Sequence, residues 1–390
     1  MLVSFHSFKQ LLTHNDRTVI YSRPTVYTER CLSPRNSFTC IIFMILDLGF
    51  VFISSLAYLF ILRKAARKVG LVDKPNARKL HSGLVPLIGG ISICLVLLQY
   101  IYNNNELLPH SQLYAGCICL LTFIGALDDR YDVSFKVRFL VQGGLSCMMM
   151  YFADLSLLSL GDMFGFGETY LGWVGYVVTV FAVIGAINAF NMVDGIDGLL
   201  GGLSCVTFGS LGTLLYLSGN KNLAYFCLVI FTATLPYILF NLGAFGKTRK
   251  VFMGDAGSMM IGFTVIWLLL LSSQGSEHPP IRPVTALWLI AIPLMDMTAV
   301  MIRRVRRGHS PFKPDREHLH HICQRLGLSN KSSLLVICGI SSLFAGFGIL
   351  AEKYDVSESI MFYSFVMLFA GYYTCLNYIW RITSMLKKSL

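Results

Sequence analysis

Long apolar runs constrain this chain more than any other feature of its sequence. Each run has about 16 to 22 residues, which is enough to cross the hydrocarbon core of a bilayer as a helix. The eleven runs lie near residues 44–62, 86–102, 112–127, 137–153, 173–190, 199–218, 223–244, 258–273, 284–302, 333–351 and 360–380. Charged residues make up only 14% of the 390, whereas a soluble domain carries about a quarter. The sequence therefore predicts an all-α, polytopic integral membrane protein with about eleven transmembrane helices.

Lys and Arg are concentrated in alternate segments between the runs. Segments after odd-numbered runs hold 24 of them, and loops after even-numbered runs hold only Lys221, Arg282 and Lys353. Cytoplasmic loops of membrane proteins carry the excess of these residues, so the odd-numbered segments and the C-terminus are predicted to be cytoplasmic. The net charge of +11 then reflects topology and contact with anionic membrane lipids. It requires no nucleic-acid partner.

Residues 1–43 differ from the rest of the chain. They hold five Lys or Arg, together with Ser, Thr, Asn and Pro, and no sustained apolar run. Eleven helices with a cytoplasmic C-terminus would place these charges outside, against the distribution in the other loops. We therefore expect 1–43 to be a disordered or non-native extension, with translation starting at Met44. A single transmembrane domain then covers 44–390.

Residues 186–202, AINAFNMVDGIDGLLGG, combine carboxylates, amides and glycines between two apolar runs. Asp194 and Asp197 are three residues apart, so a helical turn can place both on one face. Asn191 precedes them, and a glycine after each carboxylate lets a backbone or ligand approach closely. Oxygen ligands for a hard cation at the mouth of a bilayer are what a phosphate-transfer site requires. The alternative interpretation is an acidic loop without chemistry.

Two further acidic motifs follow on the same predicted side. Asp128 and Asp129 are adjacent, so on a continued helix their side chains diverge by about 100°, although at a helix end both can reach one pocket. Acids directly after apolar residues are costly without cations or solvent, and structural capping is the alternative role. Asp255, in Gly-Asp-Ala-Gly-Ser, is a candidate metal ligand, although so short a motif is also a turn signal.

Cations and histidines occupy two other loops on this side. The first loop begins at Arg63 and includes Lys74, and it either binds lipid headgroups in general or cradles a phosphorylated substrate. The fifth loop contains Arg316, His318, His320 and His321. A spacing of one helical turn between two of these histidines also suits zinc, but no Cys or carboxylate completes a set. Arginine with histidine suits phosphate and sugar hydroxyls better. Asp296, in an apolar run near the same side, is expected to support this site.

All of these motifs lie on one predicted face, and that distribution separates the function classes. A transporter is expected to carry polar groups near the bilayer midplane in inverted repeats, and the sequence shows neither feature. A site with acids, cations and histidines on the inner face fits an enzyme that joins a water-soluble anion to a lipid. A non-catalytic polyprenyl-phosphate carrier or flippase is the alternative from another class.

Five motifs in a fixed order carry a family resemblance: LVDKPNARKLHSGLVPLIGG, GALDDRYD, NAFNMVDGIDGLLGG, KVFMGDAGS and DREHLHH. Together they resemble the polyprenyl-phosphate N-acetylhexosamine-1-phosphate transferase family, which includes the phospho-MurNAc-pentapeptide translocase. The likeness runs from about residue 44 to the C-terminus. The translocase usually has three consecutive histidines where this chain has His318-Leu319-His320-His321. The chain is therefore more similar to the bacterial members that transfer GlcNAc-1-phosphate.

The resemblance implies a reaction, a cofactor and a location. GlcNAc-1-phosphate would pass from UDP-GlcNAc to undecaprenyl phosphate with release of UMP, as the first membrane step of O-antigen or enterobacterial common antigen synthesis. Another UDP-N-acetylhexosamine or UDP-MurNAc-pentapeptide is the alternative donor. Mg²⁺, or Mn²⁺, is the implied cofactor. The location implied is the bacterial inner membrane, with a cytoplasmic active site, and the resemblance leaves open whether the protein is a homo-oligomer.

The same resemblance implies residue roles. The implied catalytic group is Asp128, Asp129, Asn191, Asp194 and Asp197. The implied substrate-binding group is Lys74, Asn241, Arg316, His318, His320 and His321. Asp255 would bind the metal on the donor pyrophosphate, and Asn241 would contact uridine. Lys74 would be a counter-charge where the lipid phosphate docks beside the adjacent aspartates.

Overall fold

The computed structural model describes residues 37–73, 83–275, 279–311 and 317–389. In this part of the chain the helices are α1 (Ser37–Val69), α2 (Gly89–Asn103), α3 (Ser111–Tyr131), α4 (Phe135–Ala153), α5 (Val174–Met192), α6 (Leu199–Leu217), α7 (Lys221–Asn241), α8 (Gly254–Ser273), α9 (Pro283–Leu289), α10 (Ala291–Arg306), α11 (Leu319–Arg325), α12 (Asn330–Lys353) and α13 (Glu358–Ser389). A short antiparallel ribbon pairs β1 (Val72–Asp73) with β2 (Val85–Pro86). The predicted all-α fold class is confirmed.

Each apolar run found in the sequence coincides with helix, but the count of eleven membrane spans is not confirmed. Among the described residues, eight helices are long and apolar enough to cross a membrane, and the bent pair α9–α10 makes a ninth when it is counted as one span. Helix α2 has 15 residues, which extend about 22 Å. That length is shorter than a hydrocarbon core of about 30 Å.

The run 284–302 is broken where the sequence predicted one continuous helix. Helices α9 and α10 meet at an angle of 82°. Ile290 lies between them with φ −117° and ψ 22°, outside the helical region. Pro293 stands in the first turn of α10, where its missing N–H is not needed for a helical hydrogen bond. The expectation of an unbroken helix in this run is therefore wrong.

Helix α8 is the most enclosed of the candidate spans, with 94% of its apolar stretch buried. It packs against α2, α3 and α5. Small residues bring these helices together, because Gly90 of α2 lies against Gly257, and Gly125 of α3 lies against Ala256. A Cβ added at Gly90 would lie 2.1 Å from the Cα of Gly257, so a larger residue would force the helices apart. The N-terminus of α8 is consequently held on several sides.

The loops gather at opposite ends of α8 in the alternation predicted from charge. At its N-terminal end, Phe252 donates to the carbonyl of Pro86 and accepts from the N–H of Gly89, both at 2.9 Å. At its C-terminal end, the N–H of Ile281 donates to the carbonyl of Ser272. Segments predicted to share a side therefore do lie together. Their assignment to the cytoplasm stays a prediction.

The contacts divide the chain between Gly49 and Phe50. In the first unit, the described residues form the start of α1, which begins at Ser37, before Met44. The second unit contains the rest of α1 and all other helices. Residues 1–36 lie outside the described residues, so the predicted extension 1–43 and the start at Met44 stay predictions.

Candidate functional site

The site is built on the first turn of α8. Gly254 has φ +74°, and a Cβ at this position would lie 2.4 Å from Asp129 Oδ2, so both backbone and space require glycine. Asp129, at the end of α3, accepts the backbone N–H of Asp255 at 2.9 Å and that of Ala256 at 3.3 Å. A carboxylate from a neighbouring helix thus satisfies two of the free N–H donors at the start of α8. This contact fixes the position of Asp255.

Asp128, the residue before Asp129, is paired with an arginine that also lies near Asp255. Arg138, in the first turns of α4, donates to Asp128 Oδ2 at 2.6 Å, and its Nη1 also lies 3.5 Å from Asp255 Oδ2. The Asp128 side chain is 4% exposed, whereas that of Asp255 is 35% exposed. Two carboxylates therefore share one guanidinium, with Asp129 next to them. This excess of negative charge favours binding of a further cation.

Asn191 connects the central motif to this cluster. It lies in the last turn of α5, and its Nδ2 donates to Asp255 Oδ1 at 2.6 Å and to Ser258 Oγ at 2.8 Å. The amide therefore fixes the rotamer of Asp255 from the side opposite Arg138. Two predicted site residues from distant motifs meet here.

The two carboxylates of the central motif lie in a turn between α5 and α6 rather than on a helix. Asp194 is exposed and Asp197 is half-buried. Asp197 accepts a hydrogen bond from Lys250 Nζ, and the same ammonium lies 5.5 Å from the centre of the Phe252 ring. The turn is thus linked by charge to the loop between α7 and α8.

Asn241, the last residue of α7, connects the aspartate turn to the loop between α7 and α8. Its side chain is buried, its Oδ1 accepts the N–H of Gly198, and its Nδ2 donates to the carbonyl of Val251 at 2.8 Å. Both ends of the amide therefore bind backbone groups of the protein. The uridine contact implied by the family pattern stays a prediction, and the observed contacts position the loops.

The histidine segment is anchored by a buried carboxylate. Asp296 of α10 is 1% exposed. Its Oδ2 lies 2.8 Å from His318 Nδ1, and its Oδ1 accepts the N–H of Leu319 and the hydroxyl of Tyr372, each at 2.9 Å. A carboxylate at Nδ1 determines which ring nitrogen carries the proton. Asp296 thus orients His318, in keeping with the support expected from the sequence.

His320 joins this segment to the aspartate turn. It is 2% exposed, and a Cβ on Gly195 would lie 2.0 Å from its Nε2. Burial lowers the pKa of His320 to about 3, and the charges of His321 and His318 add to the effect, so the ring is neutral near pH 7. Within the described residues its Nε2 has no hydrogen-bond partner. A neutral ring can form a hydrogen bond but adds no positive charge to the site.

The donor set fits Mg²⁺ better than zinc. Among the described residues, no group of three His, Cys, Asp or Glu side chains is arranged to hold a metal ion. Zinc at His318 and His321 has no support, since the first of them is held by Asp296. Mg²⁺ commonly takes one or two carboxylates and completes its shell with water and substrate phosphates. Asp255, with Asp128 beside it, meets that requirement.

Lys74 and Arg316, two predicted binding residues, lie outside the described residues.

Several partners of the site residues are not apparent from the sequence. Arg138 stands ten residues after Asp128, and a cation near the start of an apolar helix was a usable signal. Lys250, the partner of Asp197, follows Lys247 and Arg249 in its loop, and nothing in the sequence distinguishes it from them. Tyr372 is 76 residues from Asp296, and no motif connects them. These pairings depend on how the helices are rotated, which apolar runs do not reveal.

These features define a polytopic membrane protein with a polar site of carboxylates, amides and histidines where several loops converge. Residues 111–273, from α3 to the end of α8, match the model of Glycosyl transferase family 4. This segment contains the two acidic motifs and Asp255, and therefore most of the site.

Named relatives match nearly the whole chain. The undecaprenyl-phosphate alpha-N-acetylglucosaminyl 1-phosphate transferase of Yersinia pestis is 51% identical over 343 residues, which cover 88% of this chain and 94% of the relative. The protein of that name from Escherichia coli (strain K12) is 50% identical over 343 residues, covering 88% and 93%. The one from Haemophilus influenzae is 47% identical over 344 residues, covering 88% and 97%. This chain belongs to the undecaprenyl-phosphate alpha-N-acetylglucosaminyl 1-phosphate transferase family, which confirms the resemblance seen in the motifs.

Proposed function

We propose that this chain transfers GlcNAc-1-phosphate from UDP-GlcNAc to undecaprenyl phosphate and releases UMP. Relatives that are 47% to 51% identical are named for a transferase acting on undecaprenyl phosphate. The observation that carries the proposal is the carboxylate cluster at the N-terminus of α8, where Asp128 and Asp255 share Arg138. It lies at one end of an apolar helical bundle, where a soluble nucleotide sugar can meet a lipid.

The chemistry requires charge control and alignment. The acceptor phosphate and the donor pyrophosphate are both anionic, so their repulsion is the main obstacle, and in-line positioning is the other requirement. Arg138 and Lys250 are the cations already placed among the carboxylates. His318, oriented by Asp296, and the neutral His320 supply hydrogen-bonding groups beside the aspartate turn.

Mg²⁺ at Asp255 is part of the proposal. When bound, it would supply a positive charge to the pyrophosphate and polarise the bond that breaks. The protein prepares Asp255 for this role. Asn191 donates to one carboxylate oxygen, Arg138 lies near the other, and Asp129 holds the backbone.

The transfer is proposed to occur in one step. An oxygen of the lipid phosphate forms a bond to the β-phosphorus of UDP-GlcNAc, and the bond to the bridging oxygen breaks, so UMP leaves with that oxygen. A phosphomonoester has a second pKa near 6, so this nucleophile is already largely ionised at pH 7. Asp197, the residue best suited to a covalent route, is paired with Lys250. No covalent relay is needed.

Isotope exchange tests the single step. Enzyme stripped of copurified lipid is incubated with Mg²⁺, UDP-GlcNAc and radiolabelled UMP, with and without undecaprenyl phosphate. Label is expected in UDP-GlcNAc only when the lipid is present. Exchange without lipid would establish a sugar-phosphoryl enzyme and overturn direct attack.

The bacterial inner membrane, with the site facing the cytoplasm, is the proposed location. The distribution of Lys and Arg supports this orientation, as does the need for a soluble nucleotide sugar. In a variant without native cysteines, Asp355→Cys should react with an impermeant maleimide in intact cells. His309→Cys should react only after the membrane is opened, and the reverse pattern would refute the orientation.

UMP release from purified protein tests the activity and its donor. The assay contains undecaprenyl phosphate, Mg²⁺ and one of UDP-GlcNAc, UDP-GalNAc, UDP-glucose or UDP-MurNAc-pentapeptide. Release is expected chiefly with UDP-GlcNAc. Release chiefly with another donor would support the proposed reaction type but identify a different donor substrate. Lipid binding without UMP release from any donor would favour a carrier or flippase.

A further inference from the structure

Arg63 and Arg67 lie at the end of α1, facing the loop between α7 and α8 that carries Arg249. Arg67 Nη2 donates to the carbonyl of Thr248 at 3.3 Å. Arg63 lies one turn earlier on α1, and the positive charges of Arg67 and Arg249 both act on it. We call Arg63, Arg67 and Arg249 the arginine cluster. None of the three belongs to the carboxylate site.

The arginine cluster has no compensating charge within the described residues. None of its members forms an ion pair with a described carboxylate. The Nε of Arg63 is buried and has no hydrogen-bond partner there. Like charges repel, and a buried donor without an acceptor is destabilising. A bound anion that accepts from these guanidinium groups would remove both costs.

An apolar surface adjoins the arginine cluster. Phe60, one turn before Arg63 on α1, is 42% exposed, and Phe245 is 37% exposed. The Phe60 ring centre lies 5.0 Å from that of Phe240 and 6.2 Å from that of Phe245. Guanidinium groups next to exposed aromatic rings at a helix end match a headgroup phosphate joined to hydrocarbon. A soluble anion would use only the charged half.

We propose that the arginine cluster binds the phosphate of an anionic phospholipid, with the acyl chains lying along Phe60 and Phe245. The loop that carries Thr248 and Arg249 continues into Lys250, the partner of Asp197. A bound lipid therefore steadies the segment that carries this cation. The effect on the Lys250 segment matters only if the proposed function is correct, whereas lipid binding to the arginine cluster does not depend on that function.

Two double variants of α1 provide a matched test. Arg63→Gln/Arg67→Gln removes two charges from the arginine cluster. Lys64→Gln/Lys68→Gln removes two charges from neighbouring exposed positions of the same helix end. The purified full chain is placed in nanodiscs of phosphatidylcholine with increasing phosphatidylglycerol, and native mass spectrometry measures retained phosphatidylglycerol. No nucleotide is present, so the result does not depend on catalysis.

The arginine variant is expected to bind phosphatidylglycerol about tenfold more weakly than the lysine variant. Equal losses in the two variants would mean general attraction to a basic helix end, and would overturn the site. Arg249→Gln, in an exposed loop, tests the cluster without changing α1 and should weaken the same binding. Unchanged binding by Arg249→Gln would also overturn it.

Competition distinguishes the sources of phosphate. Phosphatidylglycerol should resist displacement by inorganic phosphate and by undecaprenyl phosphate at equal concentration. Displacement by inorganic phosphate would reduce the cluster to a site for soluble anions. Displacement by undecaprenyl phosphate would assign it to the acceptor lipid. Either result contradicts the proposed occupant.

Discussion

The two ends of α8 use charged residues in opposite ways. At the C-terminal end, Arg282 donates through Nη1 to Asp355 at 3.2 Å and to the carbonyl of Val356 at 2.7 Å, and through Nη2 to the carbonyl of Ala351 at 3.1 Å. Its Nε lies 3.2 Å from Glu352 as an ion pair without hydrogen-bond alignment. One cation there has a surplus of acceptors. In the carboxylate cluster at the N-terminal end, by contrast, two carboxylates share one cation.

Among the described residues, the carboxylate cluster of Asp128, Asp129 and Asp255 at the N-terminal end is paired with one cation, Arg138. Arg138 serves Asp128 at 2.6 Å and Asp255 at 3.5 Å, while Asp129 uses backbone N–H groups. Arg282 joins the segments around it, because both of its Nη atoms donate to carboxylate or carbonyl acceptors on those segments. Carboxylates that share one guanidinium retain capacity for a ligand of positive charge. The difference separates a structural junction from a binding site on the same helix.

The largest expected effect distinguishes the two ends directly. Asp255→Asn keeps the shape of the side chain and loses its charge. UMP release should fall by on the order of 10²–10³-fold, the size typical for removal of a preorganised electrostatic group. Asp355→Asn is the matched control at the other end, with a 96% exposed side chain, and its activity should stay within about twofold because exposed ion pairs contribute little. Equal losses in membranes with equal protein levels would refute the comparison.

The Asp296→Asn variant tests whether a buried carboxylate with both oxygens hydrogen-bonded still contributes to catalysis. In Asp296→Asn the amide oxygen can still accept from Leu319 and Tyr372, which turns the amide NH₂ towards Nδ1 of His318. The preferred tautomer of His318 is then reversed, because Nδ1 becomes an acceptor. Turnover should fall roughly 10- to 100-fold, as when the partner that orients a histidine is lost, and the pH profile of kcat/KM should change.

Tyr372→Phe is the control for that experiment. It removes one hydrogen bond from the same carboxylate without touching His318. Stability should fall by about 1 kcal/mol, with an unchanged pH profile. If both variants changed stability alone, Asp296 would be a structural junction like Arg282.

Arg138 and Arg282 form the next pair. Arg138→Gln leaves Asp128, whose side chain is 4% exposed, without its counter-charge. Because Arg138 itself is partly exposed, we expect a loss of about 2 kcal/mol in stability and about tenfold in turnover. Arg138→Gln/Asp128→Asn should recover most of the stability. Arg282→Gln should lower the unfolding temperature, yet leave turnover per folded molecule unchanged. Loss of turnover in the Arg282 variant would contradict the division of roles.

Much of the fold was accessible from the sequence because a bilayer demands long apolar helices. Each apolar run coincides with helix, and several loops that the charge alternation placed on one side meet at the N-terminal end of α8. The break at Ile290 was missed, since composition says nothing about backbone angles, although Pro293 was a signal. The 15 residues of α2 were also indistinguishable from a full span by apolar content.

The site was accessible only in part. Asp128, Asn191 and Asp255 were predicted to share one pocket, because their loops share one side, and they meet there. The residues that complete the cluster came from the structure, since Arg138 and Lys250 reach their carboxylates only at one particular rotation of the helices. Asn241 shows a further limit. The family resemblance implied a uridine contact, which stays a prediction, while the binding of its buried amide to two backbone segments came from the structure.

The smallest effect concerns the contact between Gly195 and His320. Gly195 has no positive φ, so alanine is allowed by the backbone, but its Cβ would lie 2.0 Å from His320 Nε2. Gly195→Ala should therefore cost about 1–2 kcal/mol of stability through displacement of the ring. Gly209→Ala, where the nearest atom is 3.8 Å away, should be neutral or slightly stabilising because alanine favours a helix.

A double-mutant cycle isolates this contact. If the clash is the cause, Gly195→Ala should cost much less in a His320→Ala background, where the ring is absent. Stability is the proper measurement, because His320→Ala is itself expected to lower activity. The Gly195→Ala cost should fall by about 1 kcal/mol or more between the two backgrounds, measured by thermal unfolding of purified protein. An equal cost in both backgrounds would show that the aspartate turn and the histidine segment are not coupled through this contact.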